Sequence, residues 1–128
     1  MQIKVSAPVN IEASILLPAS KSISNRVLII NALGHGNYVP GNLSECDDTQ
    51  VMIKALNSVD ESINVMAAGT AMRFLTAYLS VSEGTRTLTG TKRMQERPIR
   101  LLVDSLRELG ASIEYVNNSG YPPLRIEG

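Results

Sequence analysis

Residues Ile63–Leu79 read INVMAAGTAMRFLTAYL, and they change period halfway along. Ile63 to Met66 has the short apolar character of a strand. Ala67-Ala68-Gly69-Thr70 follows as a glycine turn, with Thr70 as a helix N-cap candidate. Ala71, Leu75, Tyr78 and Leu79 then fall on one face of a helix that should stop near Gly84. A strand that passes through a glycine turn straight into an amphipathic helix is the repeating step of an α/β fold.

The flanking sequence continues that alternation. Downstream, Thr85 to Leu88 reads as a strand and Thr89-Gly90-Thr91 as a turn. Pro98 suits the first turn of a helix ending at Leu109-Gly110. Ala111 to Val116 and Leu124 to Ile126 close as strands across an Asn-Asn-Ser-Gly turn region. Upstream, Ser20 precedes a helix marked by Ile23, Val27, Leu28, Ile30 and Leu33, which Gly34 and Gly36 should terminate. A strand around Tyr38 and Val39 and a turn at Pro40-Gly41 lead to Ser44-Glu45-Cys46-Asp47-Asp48, side chains able to cap a helix over Thr49 to Leu56. Gln2 to Val5 and Ile11 to Leu17 alternate as a short β pair would, with Pro8 interrupting and Pro18 ending it. The segments around Gly36 and Gly84 are offset by about 48 to 50 residues, a spacing typical of repeated architectural units. Plain α/β alternation would give the same pattern.

Composition bounds the function. With 128 residues, 44% of them hydrophobic, the chain can bury one modest core. Twelve Lys and Arg balance twelve Asp and Glu, which disfavours a nucleic-acid binder with a broad basic face, so any anion site must be local. The absence of Trp, with one Phe and four Tyr, removes the stacking platforms used for single-stranded bases. Cys46 is the sole cysteine, so neither an internal disulfide nor a multi-cysteine metal site can form, and a cytoplasmic location is expected. The N-terminus lacks a signal-peptide pattern, and Val27 to Ile30 is far too short to span a bilayer.

Three places could hold an anion. In PASKSISNR, Pro18 to Arg26, Lys21 stands at a helix start while Ser22 and Arg26 lie one turn apart on one face. Together they offer a mobile charge, a neutral donor and a planar fork beside free backbone N–H groups. A capped helix with two solvated cations is the alternative. At Ala68-Gly69-Thr70 the missing Cβ would admit a ligand to the backbone, although a simple glycine turn explains it equally. Arg73, in the first turn, is poorly placed for the helix dipole and is expected to have a charged partner. In KRMQERP, Lys92 to Pro98, Arg97 precedes a helix start, where Glu96 or a substrate would balance it. His35 between two glycines suits a helix C-terminus better than catalysis, and Asp47 and Asp48 read as caps. No metal spacing is present.

Taken together, PASKSISNR, DDTQVM, AAGTAMRFL, GTKRMQERPI and YPPLRIEG occur here in the order found in the 5-enolpyruvylshikimate-3-phosphate synthases, and the chain resembles the N-terminal third of that family. The resemblance implies the inside-out α/β barrel fold of the enolpyruvyltransferases, two lobes each built of three βαβαββ units. The present chain would be a partial lobe, a fragment ending at Gly128. Residues 1–18 would be a β segment crossing to the other lobe, and residues 19–128 the partial substrate-binding lobe. The implied reaction transfers the carboxyvinyl group of phosphoenolpyruvate to the 5-hydroxyl of shikimate 3-phosphate, releasing phosphate, in aromatic amino acid biosynthesis. By the same resemblance Lys21, Ser22 and Arg26 bind shikimate 3-phosphate, and Lys21, Gly69, Thr70 and Arg97 bind phosphoenolpyruvate, near where glyphosate competes. No cofactor and no metal are implied. The family's acid/base carboxylates, further phosphoenolpyruvate ligands and Ser-Ser-Gln motif belong downstream, so no catalytic residue is expected within this fragment. The missing C-terminal lobe is the expected partner, with no nucleic acid or membrane involved.

The chain departs from the family pattern at three points. Ala67 replaces a common Asn, Phe74 replaces a common Pro, and the Asp48 to Gly69 segment is short, so the first βαβαββ unit should be abbreviated. The related UDP-N-acetylglucosamine enolpyruvyltransferases typically have Lys-Asn where Lys21-Ser22 stand, and Ser22 with the ERPI and YPPL segments argues against them. A stand-alone anion-binding module is the remaining alternative if the gene ends at Gly128.

Overall fold

The structure is a computed structural model that describes residues 2–36, 38 and 40–128. Four helices of eight or more residues, one short helix and one four-stranded sheet are formed by the described residues. They run α1 (Lys21–Leu33), α2 (Asp47–Leu56), β1 (Ser62–Asn64), α3 (Gly69–Leu79), β2 (Thr85–Thr89), α4 (Lys92–Gln95), α5 (Arg100–Glu108), β3 (Ser112–Tyr115) and β4 (Leu124–Glu127).

The sheet order is β1-β2-β4-β3. β1 lies parallel to β2, pairing Ile63 with Leu88, because α3 carries the chain back across the sheet. β4 runs antiparallel to both neighbours, with Ile126 opposite Arg86 on one side and Ile113 on the other. From β1 to β4 the order of elements, with the short α4 counted into the second connection, is one βαβαββ unit. Before it stand α1 and α2, with no strand preceding β1 among the described residues, so the first unit is abbreviated there, as the short Asp48 to Gly69 segment led us to expect.

Alternation places the core. Ile63, Ile113, Leu124 and Ile126 are buried while their strand neighbours are exposed, so one face of the sheet is covered. α3 and α5 cover it, through Ala71, Met72, Leu75 and Leu79 of α3 and Val103 of α5. Met72, Leu75, Leu88, Leu124 and Ile126 are fully buried, each stabilising the fold by roughly 1.5–3 kcal/mol. α1 and α2 pack together and against α3, and Leu28, Met52 and Ala55 extend the core to them.

Several expectations need correction. Gln2 to Val5 and Ile11 to Leu17 form no strands, and residues 2–18 are exposed throughout. Alternation marks a face, but a strand also needs a ladder partner and something to cover that face, and this segment has neither among the described residues. Tyr38 has no regular structure, and Val39 lies outside the described residues. In α1 only Leu28 of the apolar positions that mark the helix is buried: Ile23 is 65% and Ile30 68% exposed, while the polar Ser24 and Asn25 face inward beside Leu28. Gly34 keeps a negative φ, and the left-handed residue that ends α1 is His35, at φ 48°.

Helix starts differ too. α2 begins at Asp47 with Cys46 as N-cap and no side-chain cap bond. α3 begins at Gly69 with Ala68 as N-cap, so Thr70 is not the cap. Pro98 lies just outside α5, whose N-cap is Ile99. The segment after β2 contains α4, where a turn alone was expected, because the Thr91 hydroxyl accepts the Met94 N–H and the buried Met94 anchors the turn.

Candidate anion-binding site

The start of α1 is set by Ser20, whose hydroxyl accepts the Ile23 N–H at 3.4 Å. Lys21 follows, and its ammonium donates to the Asp48 carboxylate at 3.0 Å. Asp48 thus acts as the counter-ion of Lys21 as well as an acidic residue in the first turn of α2. One turn on, the Arg26 guanidinium donates to the Ser22 carbonyl at 2.9 Å and lies 5.5 Å from the Phe74 ring centroid. Phe74, the departure from a common Pro, therefore gives Arg26 an aromatic rest.

Beneath these residues a polar network ties α2 to α1. The Ser24 hydroxyl accepts the Ser44 N–H at 2.9 Å, and the Ser44 hydroxyl accepts the Cys46 N–H at 3.3 Å. The Thr49 hydroxyl donates to Asn25 Oδ1 at 2.9 Å, with both residues fully buried. Asn25 Nδ2 has no hydrogen-bond partner among the described residues. Cys46 Sγ lies 3.4 Å from Thr49 Oγ1. Hydrogen bonding by Ser44, then by Thr49, holds the Cys46 thiol below its ordinary pKa against burial and the nearby Asp48 charge. This network is what sets Asp48 beside Lys21.

The second set of residues surrounds the start of α3. Val65 N–H extends the sheet to the Thr89 carbonyl, Met66 turns at φ 52°, and its carbonyl accepts the Thr91 N–H at 3.0 Å. The chain then enters α3 at Gly69. A Cβ built there would stand 2.5 Å from Arg97 Nη1, so the guanidinium covers the bare backbone. Arg73 donates to the Gly69 and Pro98 carbonyls, each at 3.3 Å. Those are backbone partners, not the charged one expected, and they bind the Arg97-Pro98 segment to the first turn of α3. Beside Gly69 lies a cavity of about 480 Å³ lined by Ala67, Arg93, Met94 and Arg97.

Gly69 and Arg97 are thus brought together, 28 positions apart in sequence, with Thr70 half-buried in the same turn. Lys21, Ser22 and Arg26 share the start of α1, and α1 packs on α3. No hydrogen bond or ion pair joins the two sets among the described residues. Two other concavities, of about 450 and 600 Å³, pair cations with carboxylates, Arg86 with Glu83 in one and Lys54 with Asp60 in the other. The Arg93–Arg97 cavity is lined by two guanidinium groups and no carboxylate, which suits it to an anion. Sequence reading missed the Lys21–Asp48 pair and the place of Arg93, since an acidic residue at a helix start is ordinarily explained by the dipole and a cation in a short turn by solvent.

With that geometry in place, comparison with known proteins is decisive. The EPSP synthase family, 3-phosphoshikimate 1-carboxyvinyltransferase, matches residues 5–64 and 57–128. The chain belongs to this family. An EPSP synthase relative from Bacteroides fragilis, named 3-phosphoshikimate 1-carboxyvinyltransferase, is 68% identical over 128 residues, covering all of this chain and 31% of the relative. The Bordetella pertussis protein of the same name is 44% identical over 137 aligned positions, covering 89% of this chain and 31% of its own length. The solved EPSP synthase from Acinetobacter baumannii superposes with a TM-score of 0.76 at 22% identity, over 89% of this chain and 32% of that one. The chain has the enolpyruvyltransferase fold of EPSP synthases and spans about a third of the length of the curated relatives it matches.

Proposed function

We propose that this chain is the N-terminal portion of an enzyme that transfers the carboxyvinyl group of phosphoenolpyruvate to the 5-hydroxyl of shikimate 3-phosphate, releasing phosphate. The observation that carries the reading is the apposition of Arg97 on Gly69 beside a cation-lined cavity, in a chain 68% identical to a 3-phosphoshikimate 1-carboxyvinyltransferase.

In this reading Lys21, Ser22 and Arg26 bind shikimate 3-phosphate, and Lys21, Gly69, Thr70 and Arg97 bind phosphoenolpyruvate. Both substrates are anions, so the helix starts and guanidinium groups supply attraction where carboxylates would repel. Arg97, fixed over Gly69, aligns a phosphate or carboxylate in its planar fork. Lys21 is shared and exchanges its Asp48 partner for substrate oxygens. Their contribution is positioning and stabilisation of developing charge rather than proton transfer. Residues 1–18 cross to a second lobe, which supplies the remaining catalytic groups and covers residues 19–128. Glyphosate competes at the phosphoenolpyruvate cavity, and the enzyme works in the cytoplasm. Among the described residues no helix is long and apolar enough to cross a membrane.

The test is phosphate release with both substrates. The full-length protein carrying this chain is expected to turn over, and the 128-residue chain alone to be silent. Turnover by the isolated chain, or none by the full-length protein, would refute the reading.

A further inference from the structure

We propose that Arg93 is a second anion-binding residue of the Gly69–Arg97 cavity, acting with Arg97 on one phosphate or carboxylate group. The proposal rests on the reading of this cavity as the phosphoenolpyruvate site.

The geometry begins with the support. The Thr91 hydroxyl caps α4 by accepting the Met94 N–H at 3.4 Å, and Gln95 Nε2 clasps the preceding turn, donating to the Gly90 carbonyl at 2.9 Å. Met94 is 1% exposed and plugs α4 into the core. A Cβ on Gly90 would fall 2.6 Å from the Met66 carbonyl oxygen and 2.7 Å from Met94 Cγ, so only glycine lets α4 sit this close to the β1–α3 turn. Arg93 and Arg97 are therefore held on either side of a buried anchor, at a spacing set by packing, although both side chains reach solvent.

Charge then points to an occupant. Arg93 and Arg97 both line the cavity. The ion pairs found among the described residues are Lys21–Asp48 and Arg107–Asp104, and neither of these guanidinium groups takes part in one. Their side chains make no hydrogen bond among the described residues, whereas Arg73 nearby is occupied by two carbonyls. Two guanidinium groups lining one cavity without an acidic partner repel each other, and an oxyanion between them reverses the sign of that interaction. Ala67 contributes no polar atom from its side chain, so among the cavity's lining side chains the donors belong to the two arginines.

The experiment uses the full-length protein carrying this chain, titrated calorimetrically with phosphoenolpyruvate, shikimate 3-phosphate, inorganic phosphate and pyruvate, with KM and kcat measured in parallel. Arg93→Gln, which keeps the stem, is expected to weaken phosphoenolpyruvate about 10-fold or more. KM should rise more than kcat falls, and shikimate 3-phosphate affinity should be unchanged. Arg93→Lys should fall between, keeping the charge without the fork. Greater loss toward inorganic phosphate assigns Arg93 to the phosphate, and greater loss toward pyruvate to the carboxylate. Wild-type phosphoenolpyruvate affinity in both variants, or equal loss toward both substrates, overturns the proposal. Arg97→Gln is the control: if it loses phosphoenolpyruvate while Arg93→Gln does not, only the inference about Arg93 fails. If neither variant loses it, the assignment of the cavity fails as well.

Discussion

A Cβ on Gly69 would stand 2.5 Å from Nη1 of Arg97, so the guanidinium occupies the volume that any other residue's side chain would need. Gly69→Ala should therefore push Arg97 off the start of α3 without disturbing the core, because the clashing atoms are the tip of a flexible side chain. Helix propensity favours Ala over Gly by up to about 1 kcal/mol, so the melting temperature should hold or rise slightly. In the full-length protein we expect phosphoenolpyruvate affinity to fall about 10-fold with shikimate 3-phosphate affinity retained. Isotherms for phosphoenolpyruvate that match the wild type would show that the contact is incidental.

Lys21 is held by Asp48 through an ion pair whose side chains are 46% and 26% exposed. At that exposure the pair contributes less than about 1 kcal/mol to stability. Lys21→Met should accordingly leave chemical denaturation almost unchanged. Both substrates should bind more weakly to the full-length protein if, as proposed, one cation serves both. Weakening of one substrate alone would remove the shared role.

The Asn25–Thr49 hydrogen bond, at 2.9 Å between fully buried side chains, fastens α2 to α1. Thr49→Val leaves Asn25 Oδ1 without this donor in the core and should cost about 1–3 kcal/mol in urea unfolding. Replacing both, with Asn25→Leu added, should cost less than the sum of the single changes, because each single change leaves a partner unsatisfied. Strict additivity would mean that the two side chains do not depend on each other.

Cys46 should respond to pH in a defined direction. Hydrogen bonding by Ser44 is the largest cause of its lowered pKa, followed by Thr49. The Thr49 hydroxyl proton is committed to Asn25, which leaves the Ser44 hydroxyl, with the Thr49 backbone N–H, as the donors that favour the thiolate. With the folded value below the unfolded one, the thiolate adds stability that is complete above the ordinary thiol pKa and lost as pH falls through the lowered value. The rate of iodoacetamide alkylation against pH should have its midpoint below that of a free-cysteine peptide, and Ser44→Ala should move it upward. A midpoint at the peptide value in the wild-type protein would contradict the hydrogen-bonded assignment.

Much of this architecture was legible because local chemistry and tertiary structure agree. The glycine turn between β1 and α3, the end of α5 at Leu109-Gly110, where Gly110 has φ 100°, and the cap at Ser20 each follow from residues a few positions apart. Residue type also raised Lys21, Arg26, Gly69 and Arg97 as anion-site candidates, with plain structural roles left open beside them. Where reading failed, the missing information was a partner. Ile11 to Leu17 has the alternation of a strand and no described edge to pair with, and α1 buries Ser24 and Asn25 because α2 brings Ser44 and Thr49 to meet them.

The sequence by itself therefore determined the order and kind of most elements and raised an anion as the candidate ligand, since helix starts, glycine turns and clustered cations are local facts. Tertiary structure alone decided which of these groups meet. Asp48 reaches Lys21 across 27 positions, and Arg97 reaches Gly69 only because Met94 and Gly90 pack α4 against the β1–α3 turn. Such pairings depend on core contacts between distant segments, and no local pattern encodes which segments will meet.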